Sequence, residues 1–396
     1  MKIAVINIYN FPEGMAATNR IIGYCKGLIQ LGVKVDIISI VPKIDISTPL
    51  SGICDGGNYF HFTKLVSYKL PIIRVIESRI KIKYNQYKAL SFIKKSDKQD
   101  PYDAIILSFD EPATFKVIVP PLKTLQKAKI IAIADEYPIP IRHYLKPVVP
   151  EQKLKKYRQV YKDIDGRILM TSKLKDFYDT NVCFKPTLIL STIVDINRFE
   201  KIIKSNLKRD YLCYMGNMEL SKDNVDNIIK AFALISNKYQ NLDLYLYGTP
   251  TQKTKLYLEK LICQKRLNNR VFLKGYVDYI TVPQVLANAQ ILVSSQPNTK
   301  RAEGGFPTKL GEYMMTGVPT LLTDVGEISN YVKDKYNAYL VAPDNSQLYA
   351  ERLSYILENY KEALEVATRA KSYIINNFSA SVAGKKIINF LSNTQF

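Results

Sequence analysis

Short apolar runs alternate with longer segments of helical periodicity along the whole of this 396-residue chain. The runs IAVI, AIIL and IIAIA in the first half are continuously apolar, as strands covered on both faces of a sheet must be. Strands of this kind that alternate with helices are typical of parallel sheets built from βαβ units. The pattern therefore predicts an α/β fold.

The same pattern assigns individual elements. Strands are predicted in the first half at Lys2–Asn7, Val33–Ile40, Ala104–Ser108, Lys129–Ala134 and Arg167–Thr171. In the second half they are predicted at Tyr211–Met215, Asp243–Tyr247, Val271–Lys274, Ile291–Ser294, Thr320–Thr323 and Tyr339–Val341. Helices are predicted at Thr18–Leu31, Asn224–Ser236, Lys253–Gln264 and Lys309–Met315. Gly32 and Gly317 suit the left-handed position that ends a helix.

A polar, basic segment, VDINRFEKIIKSNLK, separates the two halves. We expect an N-terminal Rossmann-like domain at 1–190, a linker at 191–208 and a C-terminal Rossmann-like domain at 209–377. A C-terminal helix at 378–396 is expected to pack back on the N-terminal domain. Two such domains that face each other across a cleft would bind ligands at the carboxyl ends of their strands.

Positive charge is abundant and unevenly distributed. Lys and Arg total 56 against 36 Asp and Glu, so the formal net charge is +20. Segment 61–100 holds ten basic and three acidic residues, interleaved with apolar residues and tyrosines. This suits a surface that lies on anionic lipid headgroups, and it equally suits a solvated helical face. Nucleic acid is not expected as a partner, because no recognition motif accompanies the charge.

Several classes of protein are disfavoured by what the chain lacks. No apolar run approaches the roughly 18 residues of a membrane-spanning helix, and the N-terminus does not resemble a secretory signal, so we expect a cytoplasmic protein. The five cysteines form no C-x-x-C pair, which favours neither zinc nor disulfides. The first strand is followed by PEGMAA instead of G-x-G-x-x-G, and Walker A is absent, which disfavours dinucleotide enzymes and P-loop NTPases.

The segment GGFPTKLGEYMMTGVPTLLTDVGE carries the clearest chemical pattern. Gly304 and Gly305 predict a flexible loop, and Pro307 suits the first turn of the following helix. Backbone N–H groups at such a helix start can bind phosphate, and Lys309 adds a positive charge. Glu312, one turn further on, could accept hydrogen bonds from a ribose diol. Alternatively, Lys309 and Glu312 form an ordinary i,i+3 surface pair.

This segment resembles the donor site of retaining glycosyltransferases of family four, which have the GT-B fold. Glu312, Gly317-Val318-Pro319 and Gly326-Glu327 match the family pattern, and F-P-T-K-L-G-E resembles a bacterial polysaccharide subgroup. Three further segments also resemble the family, and they occur in the expected order along the chain. They are Asp165 to Ser172, Val194 to Phe199 and Tyr214 to Lys222.

The resemblance implies a set of site residues. Those expected to bind the donor are Gly14, Gly216, Asn217, Glu303, Gly304, Gly305, Phe306, Pro307, Thr308 and Glu312. Lys222 and Lys309 would be catalytic, by stabilising negative charge on the departing phosphate. Asp135 and Glu136, also expected to be catalytic, stand where the family has a histidine and would contact the sugar or acceptor, or else cap the next turn. Arg142 and His143 are expected on the acceptor side.

The chain also departs from the family pattern. Asn217 stands where the family has a phosphate-binding arginine, and Gly304 stands where it has the first glutamate, with Glu303 one residue away. Asp163 and Asp165 form a D-x-D sequence, which we interpret as structural, and no metal site is expected.

The implied function is a hexosyltransferase reaction in cell-surface polysaccharide synthesis, such as lipopolysaccharide or capsule. A nucleotide-sugar co-substrate would transfer its sugar with retention to a lipid-linked or growing glycan, without cofactor or metal. Domain 1–190 would hold the acceptor, 209–377 the donor, and 61–100 would contact the inner face of the membrane. The alternatives are a UDP-sugar 2-epimerase-like isomerase and a catalytically silent nucleotide-sugar-binding protein.

Overall fold

The computed structural model describes residues 1–14, 16–44, 49–65, 71–139, 141, 148–203, 205 and 209–396. The chain divides into two units, of which the first is Met1–Ile193 with Ala380–Phe396 and the second is Val194–Ser379. The chain therefore enters the second unit once and returns to the first at its C-terminus. The first crossing falls inside the predicted linker 191–208.

The bounds of the regular elements are as follows. The strands are β1 Lys2–Asn7, β2 Lys34–Ser39, β3 Ser51–Cys54, β4 Gly57–Phe60, β5 Ala104–Ser108, β6 Lys129–Ala134, β7 Gly166–Leu169, β8 Thr187–Ile189, β9 Asp210–Met215, β10 Leu242–Tyr247, β11 Val271–Gly275, β12 Ile291–Ser294, β13 Thr320–Thr323 and β14 Tyr339–Val341. The helices are α1 Ala16–Gln30, α2 Pro71–Gln99, α3 Pro112–Leu122, α4 Glu151–Tyr161, α5 Ser172–Asn181, α6 Leu220–Asp223, α7 Val225–Ile235, α8 Gln252–Gln264, α9 Val282–Ala287, α10 Lys300–Gly304, α11 Lys309–Met315, α12 Ser346–Glu358, α13 Tyr360–Phe378 and α14 Ala380–Asn393.

The sheet of the first unit has the strand order β3-β4-β2-β1-β5-β6-β7-β8. Its pairs are parallel except for the antiparallel hairpin of β3 and β4 at the edge. All six residues of β1 are buried, because apolar clusters cover both faces of the sheet. The strand order reverses around β1, and such a reversal leaves a crevice for ligands at the carboxyl ends of the strands.

The sheet of the second unit has the order β11-β10-β9-β12-β13-β14 and is parallel throughout. Two apolar clusters again cover its faces. The order reverses between β9 and β12, so the segments that follow these two strands meet at the carboxyl edge. The helices α6, α10 and α11, which carry the predicted residues Lys222, Glu303, Gly304, Lys309 and Glu312, follow these strands along the chain.

The apolar pattern predicted the central strands well. The bounds of β1, β5, β6, β12, β13 and β14, and of helix α11, agree with the prediction residue for residue. The hairpin of β3 and β4 was not predicted, because SGIC and GNYF mix glycine and polar residues, and three-residue β8 is too short to show a pattern. Gly32 and Gly317 have φ of +78° and +73°, which confirms their helix-ending role.

Helix α14 packs against α1 within the first unit through two glycines. A Cβ atom on Gly27 would lie 1.8 Å from the carbonyl oxygen of Ala380, and one on Gly384 would lie 2.4 Å from that of Gly27. Both distances are far below van der Waals contact, so only glycine permits this approach of the two helix backbones.

Part of the predicted linker is folded into the second unit. Ile196–Phe199 forms a short 3-10 helix, and the side chain of Phe199 is buried. Among all the described residues, no helix combines the length and apolar character needed to cross a bilayer.

Candidate functional site

Lys309, at the start of α11, makes an ion pair with Asp223, the last residue of α6. Its Nζ atom lies 2.6 Å from Oδ1 of Asp223 and donates a second hydrogen bond, of 3.3 Å, to the hydroxyl of Tyr214. The Asp223 side chain is 2% exposed and that of Lys309 is 17% exposed. The alternative of an i,i+3 surface pair between Lys309 and Glu312 is therefore wrong, since Lys309 bonds a residue on another element.

The charges of this pair depend on one another. Burial alone would raise the pKa of Asp223, but the ammonium of Lys309, with help from Lys222 and a hydrogen bond from Tyr214, brings that pKa below its usual value. Burial lowers the pKa of Lys309, and the Asp223 carboxylate opposes this effect. Asp223 is thus an ionised carboxylate at neutral pH, and it holds the Lys309 ammonium in place.

Two glycines let the backbone pass close to Lys309. Gly216 follows β9 directly, and a Cβ atom there would lie 2.6 Å from Nζ of Lys309 and 2.5 Å from the hydroxyl of Tyr214. Gly248 follows β10 with φ of +135°, and its Cβ would lie 1.8 Å from the carbonyl oxygen of Gly216. The missing side chains leave the carboxyl edge of β9 open beside the lysine.

Glu312, one turn after Lys309, makes an ion pair with Arg198. The Arg198 guanidinium donates one hydrogen bond to Glu312 Oε1 and another to the carbonyl oxygen of Tyr279. It also lies 3.3 Å from the centre of the Tyr279 ring, a cation–π contact. Burial raises the pKa of the Tyr279 hydroxyl to about 12. The structure thus connects Glu312 to the 3-10 helix and to the segment after β11.

The segment before α11 differs from its prediction. Gly304 and Gly305 do not form a flexible loop, because Gly304 ends helix α10 and is buried, and Gly305 donates its N–H to Arg301 at 3.0 Å. Pro307 lies before the helix rather than in it, and its carbonyl accepts from Leu310 N at 2.9 Å. Residues 300–304 are helical because Thr299 caps a separate short helix, α10, with its side chain accepting a hydrogen bond from Ala302 N.

The remaining residues of this segment are packed or paired. Phe306 and Pro307 are buried, and the Phe306 ring meets that of Tyr331 at 5.0 Å. Thr308 occupies the N-cap position of α11 without a side-chain capping bond. Glu303 pairs with Lys300 at 2.6 Å.

The segment after β9 carries Asn217, predicted to bind the donor, and Lys222, predicted to be catalytic. Asn217 is exposed, and Lys222 is half-buried on α6 beside Asp223. Glu219, between them, pairs with Arg301 of α10 at 2.8 Å. The segments that follow β9 and β12 are therefore joined by an ion pair at the carboxyl edge of the sheet.

Predicted residues of the first unit lie at the carboxyl edge of its own sheet. Asp135 follows β6 and pairs with buried Arg20 of α1, with Oδ1 3.3 Å from Nε. Glu136 is half-buried next to it. Gly14 is exposed between β1 and α1, where a Cβ would lie 2.1 Å from the hydroxyl of Thr18. Arg142 and His143 lie outside the described residues.

The D-x-D aspartates make separate structural contacts. Asp165 accepts a hydrogen bond of 2.7 Å from the backbone N–H of Ile130, while Asp163 pairs with Lys123 at 3.5 Å. Across the described ranges, no three His, Cys, Asp or Glu side chains are grouped so as to hold a metal ion.

Four side chains of the site were missed by sequence reasoning, namely Tyr214, Asp223, Arg198 and Tyr279. The first three lie in or beside segments that carry the family resemblance, and the aspartate directly after Lys222 was the one local signal in the sequence. Their partners are distant, since Lys309 and Asp223 are 86 positions apart and Arg198 and Glu312 are 114 apart. Tyr279 has no signal in the sequence.

Comparison with known proteins places this geometry in context. The family model described as glycosyl transferases group 1 matches residues 195–373, which is nearly all of the second unit and less than half of the chain. A poly(ribitol-phosphate) alpha-N-acetylglucosaminyltransferase of Staphylococcus aureus (strain COL) is 28% identical over 171 residues, 43% of this chain and 33% of that protein. The chain spans between about a third and a half of the lengths of the curated relatives it matches.

Solved structures match over the full length. Sucrose-phosphate synthase from Thermosynechococcus elongatus superposes with a TM-score of 0.72 at 16% identity, covering 99% of this chain and 98% of that one. Anabaena HepE in complex with UDP gives a TM-score of 0.70 at 16% identity, with both chains covered completely. In complex with UDP-glucose, HepE gives a TM-score of 0.69 at 15% identity, again with both chains covered completely. The chain thus has the GT-B fold of two Rossmann-like domains, and its residues 195–373 match the glycosyl transferases of group 1.

Proposed function

We propose that the protein is a glycosyltransferase that takes a sugar from a nucleotide-sugar bound by the second unit and transfers it to a glycan acceptor. One observation carries the proposal. Within the stretch that matches group 1 glycosyl transferases, Lys309, Lys222 and Glu312 lie on helices that follow β9 and β12. This is the edge of an open α/β sheet at which ligands bind.

The cations suit a departing nucleoside diphosphate. As the bond between the sugar and the phosphate breaks, negative charge grows on the β-phosphate, and a preorganised cation there is worth about 2–4 kcal/mol. The Lys309 charge is largely balanced by Asp223, 2.6 Å away, and Lys222 lies next to Asp223 on the same helix. Lys309 would instead contribute a fixed hydrogen-bond donor.

We infer that the transfer proceeds with retention and without a metal ion. The sugar–phosphate bond breaks while the acceptor oxygen bonds the anomeric carbon on the same face, and the acceptor proton passes to the departing phosphate oxygen. This route needs no protein base. Because cationic side chains serve the phosphate, we expect turnover to be unchanged by EDTA.

We further propose that the acceptor is lipid-linked and that α2 brings the protein to an anionic membrane. The first half of α2 exposes apolar side chains, which are Ile72, Ile73, Val75, Ile76, Ile80, Tyr84 and Tyr87. Basic side chains are exposed between them at Arg74, Arg79, Lys83 and Lys88. A soluble polyanion would bind the basic residues alone, whereas a bilayer surface also accommodates the isoleucines. The combination therefore favours a membrane.

The proposal is tested with a panel of UDP-, GDP-, ADP- and dTDP-sugars. A donor that binds only the native state at a hundred times its dissociation constant adds about 2.7 kcal/mol of stability, which a thermal shift detects. The stabilising donor is then tested for sugar transfer, with Arg209→Ala as the control because Arg209 precedes β9 at the opposite edge of the sheet. The absence of stabilisation by any donor would overturn the proposal.

A catalytically silent nucleotide-sugar-binding protein is the second candidate. Asn217 provides no charge, and Glu303 is paired with Lys300, so two positions of the family pattern lack their expected chemistry. A donor that binds without hydrolysis and without transfer to any acceptor would favour this candidate.

A further inference from the structure

Arg198 links three parts of the second unit. It lies on the 3-10 helix Ile196–Phe199 and contacts Glu312 on α11 and Tyr279 in the segment after β11. The Arg198 side chain is 12% exposed, while that of Glu312 is 30% exposed. One partner is therefore enclosed by protein, and the other remains open to a ligand.

The contacts of Arg198 leave its guanidinium little freedom. Its two terminal nitrogens hydrogen-bond different acceptors, and its Cζ atom lies 3.3 Å from the centre of the Tyr279 ring. Only a planar, forked cation can satisfy both acceptors and the ring at once, so lysine is not an equivalent. The contacts of Arg198 thereby fix the position of Glu312 Oε1.

Glu312 keeps hydrogen-bonding capacity after this contact. Arg198 is its one hydrogen-bond partner among the described residues, and the bond uses Oε1. A carboxylate has about four lone-pair sites, so Oε2 and the outer side of Oε1 remain available. An immobilised carboxylate binds a diol more tightly than a mobile one, because less conformational entropy is lost on binding.

We propose that Arg198 is a positioning residue for the donor site. By holding Glu312, it sets the preference of the protein for a ribonucleotide over the corresponding 2′-deoxyribonucleotide. The inference rests on the proposed function, since it requires a nucleotide whose ribose meets Glu312, and Arg198 itself acts only through that carboxylate.

The experiment measures dissociation constants for UDP, GDP, ADP and CDP and for their 2′-deoxy counterparts. A hydrogen bond to a charged group is worth a factor of about 10 to 100 in affinity, so the wild-type protein should bind the best ribonucleotide 10- to 100-fold more tightly than its deoxy form. Arg198→Ala should reduce this ratio to within about 3-fold, and Arg198→Lys should restore only part of it.

Two further variants separate positioning from general damage. Arg209→Ala also removes an arginine from an ion pair of this unit, yet Arg270 still bonds Asp243 at 3.1 Å, so the ratio should be unchanged. Glu312→Ala should abolish the preference, and combining it with Arg198→Ala should add nothing, because both act on one contact.

The outcomes distinguish the two proposals. If wild type binds none of the four ribonucleotides, the role of Arg198 fails, and the proposed function fails with it when no dTDP-sugar binds either. If wild type binds a ribonucleotide without preference over its deoxy form, the role of Arg198 fails alone. It also fails if Arg198→Ala keeps the full preference. Because Glu312 is open to solvent, we expect Arg198→Ala to fold, and Arg198→Lys serves the same test if it does not.

Discussion

Lys309 and Asp223 are 86 residues apart in the chain, yet Nζ of the lysine lies 2.6 Å from a carboxylate oxygen of the aspartate. The aspartate is almost completely enclosed, so the lysine has two functions. It neutralises a buried charge that the fold would not tolerate alone, and it presents a cation beside Gly216 at the carboxyl edge of the sheet.

Lys309→Ala should lower both stability and turnover. The substitution leaves the Asp223 carboxylate without its ammonium partner at 2% exposure. Breaking a buried pair in this way costs about 3–5 kcal/mol. We expect chemical denaturation to show this loss.

The double variant Lys309→Met with Asp223→Asn separates the two effects. Removing both charges should recover much of the lost stability, while turnover stays lower by orders of magnitude. Near-normal turnover in a well-folded double variant would show that Lys309 has no part in the reaction.

Acid should destabilise the wild type more steeply than Asp223→Asn. The pKa of Asp223 in the folded protein lies below its ordinary value of 3.8. As pH falls through 3.8 toward that lower pKa, the unfolded chain takes up the proton first, so the free energy of unfolding decreases. Asparagine does not titrate, so the Asp223→Asn variant should lack this decrease in the free energy of unfolding. Urea denaturation between pH 5 and 3 measures the two slopes, and equal slopes would contradict an ionised Asp223.

Gly216→Ala should impair donor binding while the fold survives. The added Cβ would lie 2.6 Å from Nζ of Lys309, at the flexible end of that side chain. The ammonium can therefore move away, and it then leaves its position beside Asp223. Gly248→Ala is the contrast, because its Cβ would meet backbone at 1.8 Å with φ of +135°, and this variant should lose much of its stability. The checks are the thermal midpoint and the donor dissociation constant of each variant. Unchanged donor affinity in Gly216→Ala would argue against a role for the Lys309 position.

Ile80→Glu should weaken binding to anionic vesicles. Ile80 lies on α2 and is 63% exposed, and Ile53, on β3 of the same unit, is 75% exposed. Burying an isoleucine contributes about 1.5–3 kcal/mol, so Ile80→Glu should cost 10-fold or more, whereas Ile53→Glu should have little effect. Sedimentation with phosphatidylglycerol vesicles at low salt measures both. Wild-type protein that stays in the supernatant would refute membrane binding, and equal binding of wild type and Ile80→Glu to soluble polyphosphate would indicate a polyanion instead.

The strands of both sheets could be predicted closely because continuous apolar runs admit few other structures. The short strands β3, β4 and β8 could not, since β3 and β4 mix glycine and polar residues and three-residue β8 is too short to show a period. Gly304 and Gly305 show a similar limit. A glycine pair is typical of loops, but here the threonine cap at 299 and the burial of Gly304 favour a helix end.

The order of residues along the chain determined the α/β class, the central strands and which helix carries Lys309 and Glu312, because periodicity and glycine positions are local properties. Their partners became evident only in the folded chain. Asp223 reaches Lys309 across 86 positions, because the parallel strand order brings the segments after β9 and β12 to one edge of the sheet. Arg198 reaches Glu312 across 114 positions from the 3-10 helix that precedes β9. A local sequence pattern contains no information about contacts between residues so far apart in the chain. The ion pairs that position this site therefore follow from the topology of the fold.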